Sequence, residues 1–435
     1  MSDQKTLVYG VLGVVGLIVI LLVFGFLFGR ESGGPPAADL QFWGFGDDSD
    51  VWRDIISGYA EKYSGSSVTY TRLNDQIYED TIINRLAAGE GPDIFMLKNT
   101  AVVKHADKIV PLPQDYFQFF IKDFKRTFAD IAADDLISGP QNAFLRSESE
   151  QIVGIPLYVD ALVMFYHKDL FNSSGIATPP ATWDDVIEAS KRVTKLSLGG
   201  GIERSGATLG TYANVERAFD LLSSLFMQQG VSVVNRKTKA VEFGGGASGV
   251  MQFYTSFANP AKQNYSWSGR MPNSFEALAR GEASMAFGTA SDWQRVLAKN
   301  PHLRLGVALL PQRKGSAVPV TQGEYAVLAV SRLSRNPEAA WNFIRYATEA
   351  GQSEKYLAKT QRAPARRDLI AKGTSSEELD VFYRSALIAK SWPVPDEKRT
   401  KLIFQDAVES ILSGASDPSH AAQNLSQQLQ LLISK

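Results

Sequence analysis

Between residues 40 and 97 the chain changes its apolar period repeatedly, and this restricts the fold more than any other feature. Leu40-Gln41-Phe42-Trp43 alternates weakly and reads as a strand. Gly44-Phe45-Gly46-Asp47-Asp48 reads as a loop. Trp52, Ile55, Ile56, Tyr59 and Tyr63 then recur at helical spacing, with Ser49 or Asp50 as N-cap. Residues 67–71 predict a second strand. Tyr78, Ile82, Ile83 and Leu86 predict a helix stopped by Gly89 and Gly91. Ile94-Phe95-Met96-Leu97 is a short apolar run of the kind buried in parallel sheets. Strand–helix–strand–helix–strand order requires helices laid on a sheet, so the class is α/β.

A second block of the same kind begins at Gln151, with an apolar strand over 161–166. Thr182 and Asp185 form a capping-box pair ahead of a helix whose apolar face is Val186, Ala189, Val193 and Leu196. A helix over 218–227 ends at Gly230. Strands are predicted over 283–287, 305–310 and 325–330. Asn336-Pro337 opens a further helix in cap-then-proline order. A chain of 435 residues exceeds one ordinary core, so two lobes are expected.

Residues 7–28 are all apolar, Gly or Tyr. As a helix this run reaches roughly 33 Å, against a hydrocarbon core of about 30 Å. A cleavable signal has a shorter apolar region, about 7–15 residues. The run is therefore read as an uncleaved transmembrane signal anchor, with 1–6 cytoplasmic and 29–39 a Gly/Pro/Ala linker. That linker reaches about 30 Å at most and would hold the folded part near the membrane. The formal net charge of −1 argues against a large basic surface for nucleic acid. With no cysteine, disulfides, thiolate nucleophiles and Cys-ligated metals are excluded. His105, His167, His302 and His420 are scattered, with no H-E-x-x-H, and neither a nucleophile elbow nor a P-loop occurs. No catalytic residue, metal or cofactor is assigned, and the chain is read as a non-enzyme and a monomer.

Several runs, in order, resemble the family-1 extracellular solute-binding proteins, the maltose-binding-protein-like receptors of ABC importers. They are Leu86-Ala87-Ala88-Gly89-Glu90-Gly91-Pro92-Asp93-Ile94, Gly154-Ile155-Pro156-Leu157-Tyr158-Val159-Asp160 and Tyr166-His167-Lys168-Asp169-Leu170-Phe171. Pro180-Ala181-Thr182-Trp183-Asp184-Asp185, the run at 275–287, Ala339-Ala340-Trp341-Asn342-Phe343-Ile344 and Ala363-Pro364-Ala365-Arg366 complete the set. The resemblance spans about 40–415. It implies a two-lobed periplasmic-binding-protein-like fold (type II) with an interlobe cleft. Carried over, lobe one is 40–157 plus 316–365 and lobe two is 158–315 plus 366–435. The hinge crosses near 158–160 and again near 311–320. It further implies partners: a small solute, favoured as sugar or oligosaccharide, and permease subunits with a separate ATPase. Members are often held by an N-terminal lipidated cysteine; here the apolar run would replace it.

Sugars present C–H faces and hydroxyl edges, so a sugar cleft pairs aromatic platforms with carboxylate, amide and guanidinium groups. The loop after the first strand supplies Trp43, Phe45, Asp47 and Asp48, at the end of a strand where open α/β sheets bind ligands. Asn99 follows the third strand. The hinge segment offers Tyr158 and Asp160; by the resemblance Asp160 and Ser291 match family cleft positions, with Trp293 beside Ser291. Tyr212, Trp267, Trp392 and Lys401 lie in segments that often face the cleft in this family. Trp43, Trp267, Trp293 and Trp392 are open to a core reading as well, while Trp52, Trp183 and Trp341 are assigned to packing. Two other functions stay open. One is a sensory or adhesive receptor of the same fold, and the other is a receptor for a peptide, polyol or phosphodiester.

Overall fold

A computed structural model describes residues 36–230 and 232–434. The apolar run 7–28, the segment 1–6 and most of the linker lie outside the described residues. Among the described residues no helix is long and apolar enough to cross a membrane.

Two short hairpins aside, the strands in chain order are β1 (Asp39–Gly44), β2 (Ser67–Arg72), β3 (Ile94–Lys98), β4 (Ile109–Val110), β5 (Ile155–Pro156), β6 (Asp160–Ala161), β7 (Val163–His167), β8 (Met285–Gly288), β9 (Leu305–Leu309), β10 (Thr321–Glu324), β11 (Ala326–Ser331) and β12 (Ala389–Lys390). The helices that shape the site are α1 (Ser49–Lys62), α2 (Tyr78–Ala87), α3 (Asp130–Leu136), α4 (Trp183–Val193), α5 (Ala218–Met227), α6 (Ala290–Lys299), α7 (Pro337–Ala347), α8 (Ala350–Thr360) and α9 (Glu397–Leu412).

The first body is a sheet in the order β2-β1-β3-β11-β4, with β5 also paired to β11. β1 runs parallel to β2 and β3, and the late strand β11 returns antiparallel to β3. The second body is the antiparallel sheet β8-β7-β9. Its faces follow the two-residue period of a strand. Val163 and Phe165 face an apolar cluster continuous with the first body, while Met164 faces a second cluster with Trp183, Phe226 and Phe404. Between the bodies, β12, β10 and β6 form a third sheet, so three chain crossings are hydrogen-bonded together.

Local chemistry explains the boundaries. Thr182 Oγ1 accepts from the Asp185 amide, and Asp185 accepts from the Thr182 amide, closing the expected box at α4. That helix stops at Val193, because Thr194 turns extended (φ −60°, ψ 131°). Leu196 therefore leaves the apolar face where it was expected and stands exposed in a hairpin. The N-cap of α1 is Asp48, not Ser49 or Asp50, and its carboxylate goes to Arg72 instead of to helix amides.

Trp52 on α1 is fully buried, 4.7 Å from the Phe42 ring and 5.5 Å from that of Tyr356. Removing such a ring typically costs about 3–5 kcal/mol. Trp52→Ala is expected to lower the urea unfolding free energy by that amount. A loss under about 1 kcal/mol would show that α1 is not packed as described.

Candidate functional site

The seam between the two bodies is lined by charges. At its floor, β6 and β10 place Asp160 directly opposite Glu324. Directly opposed like charges destabilise a strand pair, so each carboxylate needs its own compensation. Asp160 sits at the N-terminus of α6 and accepts from the Ala290 amide (3.0 Å) and the Ser291 hydroxyl (2.5 Å). Burial still raises its pKa, against the pull of Arg362. Glu324 accepts from Arg217 at 2.9 Å. Burial works against its charge, but Arg217 and Lys98 hold its pKa below the ordinary value.

Arg217 is shared by three carboxylates. It reaches Asp292 at 2.6 Å, Glu324 at 2.9 Å and Asp220 at 3.3 Å. Burial opposes its charge, yet Glu324, Asp292 and Asp220 outweigh this and raise its pKa well above the usual range. Asp220 is the member left short. Burial, with Glu324 and Glu397 nearby, pushes it up to about 6 despite Arg217 and Lys401.

Arg362 organises the other end. Its Nη1 donates to Asp47 (3.0 Å) and Tyr356 (2.8 Å), its Nε to Ser291 (3.3 Å), and its guanidinium lies 4.2 Å from the Tyr158 ring centroid. Tyr158 and Tyr356 are nearly parallel, 6.2 Å apart. Further direct links cross the seam. Lys98 pairs with Glu397 at 3.2 Å, and Glu397 also accepts from Lys401 at 2.6 Å. Buried Asp135 on α3 accepts from Asn99 (2.9 Å), Tyr325 (2.9 Å), Ser391 (2.5 Å) and Arg236 (2.5 Å). No group of three or more His, Asp or Glu among the described residues could hold a metal ion.

Of the residues expected from sequence, Asp47, Tyr158, Asp160 and Ser291 meet around Arg362. Asn99 belongs to the Asp135 cluster and Lys401 to the Glu397 pair. Tyr212 is half-buried, and its hydroxyl has no partner among the described residues. Trp43 and Phe45 are half-buried at the end of β1, Phe45 against Tyr78 at 4.7 Å. Asp48 is exposed and engaged by Arg72. The expectation of platforms at Trp267, Trp293 and Trp392 is corrected. Trp267 is fully enclosed with Nε1 on Asn214 (3.1 Å). Trp293 packs on Phe165 (5.4 Å), and Trp392 on Phe219 (5.7 Å). Each is buried in an apolar cluster, so no ring face is left open to a solute.

Arg217, Asp220, Glu324, Arg362, Glu397, Asp135 and Arg236 were not anticipated. Asp220 carried a usable signal: it is the lone charge in an otherwise apolar and small-polar helix. Glu324 likewise precedes an apolar strand.

The family model for bacterial extracellular solute-binding proteins matches residues 46–354. The chain belongs to that family. Among solved structures, the sugar-binding protein MalE from Xanthomonas citri superposes with a TM-score of 0.74 at 18% identity, covering 91% of this chain and 97% of that one. At that identity the likeness is one of fold. The arabinooligosaccharide-binding protein of Bacillus subtilis (strain 168) is 26% identical over 242 residues, 52% of this chain and 49% of its own. The multiple sugar-binding protein of Streptococcus mutans serotype c is 21% identical over 367 residues, 80% of each chain. The two-lobed α/β architecture of the family is thus the architecture of this chain.

Two outcomes test the charge seam. Arg362→Met strands the buried Asp47 carboxylate, and breaking such a pair typically costs about 3–5 kcal/mol. Adding Asp47→Asn should recover part of that loss in denaturant unfolding; strictly additive losses would exclude the coupling. The second outcome concerns Asp220. Its folded pKa of about 6 stands above the unfolded value. Its contribution to stability is therefore complete below about pH 4 and lost as pH rises through 6. Relative to Asp220→Asn, the native chain should lose stability, on the order of 2 kcal/mol, between pH 4 and 7. Parallel stability curves for the two proteins would contradict this.

Proposed function

We propose that this chain is the extracytoplasmic solute-binding subunit of an ABC importer, capturing a sugar or oligosaccharide between its two bodies. The family match over 46–354 carries this reading. The seam supports it, because carboxylates and guanidinium groups meet there, with the half-buried Tyr212 near Asp220 and Glu397. The names of relatives that bind arabinooligosaccharides and multiple sugars point the same way. The proposed lobes are 40–157 with 316–365 and 158–315 with 366–435. The helix Arg367–Lys372 packs toward α8, which favours moving the last boundary beyond Lys372. Residues 7–28 are proposed as a membrane tether, and the permease and its ATPase as separate chains.

Capture would work by differential affinity. A solute that bonds both bodies favours the closed arrangement by the difference in its affinity for the closed and open forms. Here Lys98–Glu397 and Arg362–Ser291 already link the bodies directly. The solute must exchange with some of these bonds, so its polar groups must replace them. A second reading, a receptor for a smaller polar or charged solute, is favoured by the enclosure of Trp267, Trp293 and Trp392.

Thermal unfolding of the purified chain against sugars, oligosaccharides, polyols and peptides separates the readings. A solute at 100 times its Kd should add roughly 2.7 kcal/mol, a shift of degrees for a chain this long. A shift confined to one saccharide class supports the first reading. Shifts only with small charged or peptidic solutes support the second, and none with any solute would count against both.

A further inference from the structure

A cavity of about 770 Å³ lies at the far end of α5 from the charge seam. Arg217 caps the start of that helix, and Met227 and Gln228 at its end line the cavity. Ten helical residues separate the two ends by about 15 Å. None of Asp47, Asp160, Arg217, Glu324 or Glu397 lines the cavity. Its walls come from both bodies and from the crossings between them: Asp134 on α3, the loop 232–237, the segment 316–320, and Lys390 with Ser391.

We propose that this cavity is a second binding site, for a small organic anion that carries one phosphate or carboxylate on a short apolar body. Its volume falls within the range of about 300–1,000 Å³ typical of small-molecule pockets. Three cations line it, Arg236, Lys237 and Lys390, against the single carboxylate of Asp134. Lys390 already satisfies Asp134 at 2.8 Å. Arg236 uses one nitrogen, Nη2, on Asp135 behind the wall and on the lining Ser391. Its other N–H groups have no hydrogen-bond partner among the described residues. Lys237 is exposed and has no ion-pair partner among the described residues. Planar guanidinium and flexible ammonium groups together suit a tetrahedral or planar oxyanion.

The apolar part of the lining selects the body. Met227, Val320 and the two-thirds-exposed Val318 supply apolar contact. The C-terminal end of α5 carries the wrong helix-dipole sign for an anion. That effect is blunted, because the Gln228, Gln229 and Gly230 amides cap the last carbonyls of the helix. Gln228 itself is spent, its amide on Pro311 and Val320 and its Oε1 on Trp183. The anion would therefore be held at the lysine and arginine side, with its apolar part toward Val318. An occupant would touch both bodies and two crossings at once.

Titration calorimetry of the full chain at low salt tests this, with phenyl phosphate, phenylacetate and inorganic phosphate as probes. Saturable 1:1 binding of phenyl phosphate is expected, tighter than that of inorganic phosphate. Lys237→Glu and Val318→Asp should each weaken it at least tenfold without moving the melting temperature, since both residues are exposed. Lys98→Met, at the half-exposed seam pair with Glu397, should leave it unchanged. No saturable heat with any probe at millimolar concentration, binding that survives both cavity substitutions, or binding lost in Lys98→Met would overturn the proposal. None of these outcomes depends on whether the seam binds a sugar.

Discussion

One guanidinium joins the parts on which the site depends. Arg362 bonds the loop after β1 through Asp47, the second body through Ser291, and lies on Tyr158 at the first crossing. A charge so placed costs desolvation energy, and only a complete set of partners offsets it. Asp47 and the Tyr356 hydroxyl complete that set, while the aromatic face of Tyr158 adds a cation–π contact. Asp47 and Tyr356 hold the guanidinium from the first body, and the contact to Ser291 extends it to the second.

The crossing sheet adds a second constraint. Opposing Asp160 to Glu324 across one strand pair would weaken it, were both charges bare. The chain resolves the conflict by splitting the partners. Asp160 takes helix-terminal donors from α6, and Glu324 takes Arg217 from the start of α5. Both helices belong to the second body, so the crossing is tied to that body by charge. The first body is tied by Asp135, which gathers Asn99 and Tyr325 on one side with Arg236 and Ser391 on the other. Any movement of the bodies would have to exchange these bonds for water or for a solute.

Much of the fold was legible because its elements announce themselves locally. β1, α1, β2, α2 and β3 follow period and punctuation, and the Thr182–Asp185 box marks the start of α4 to the residue. The crossing strands were not legible in this way. β6, β10 and β12 are two to four residues long and carry Asp160, Glu324 and Lys390, so they show no apolar period. The site was half legible. Asp47, Tyr158, Asp160 and Ser291 could be placed because loops after strands and family positions mark them. Arg217 and Arg362 could not, since a single arginine in a sequence carries no sign of the carboxylates that tertiary structure brings to it. The tryptophans misled for the converse reason: Trp267 and Trp392 suit a sugar face or a core equally well, and only packing decides.

Capture between two bodies requires that a solute narrow the range of distances between them. The chain has no cysteine, so two introduced thiols carry spin labels without competition. Exposed Glu61 on α1 and exposed Lys191 on α4 stand on different bodies and suit the labels. Pulsed electron resonance then reads the distance distribution with and without the solute that raises the melting temperature. Capture predicts that the solute collapses a broad or two-peaked distribution onto its shortest component. An unchanged distribution at saturation would mean that the solute binds without bringing the bodies together, and the interlobe account would fail.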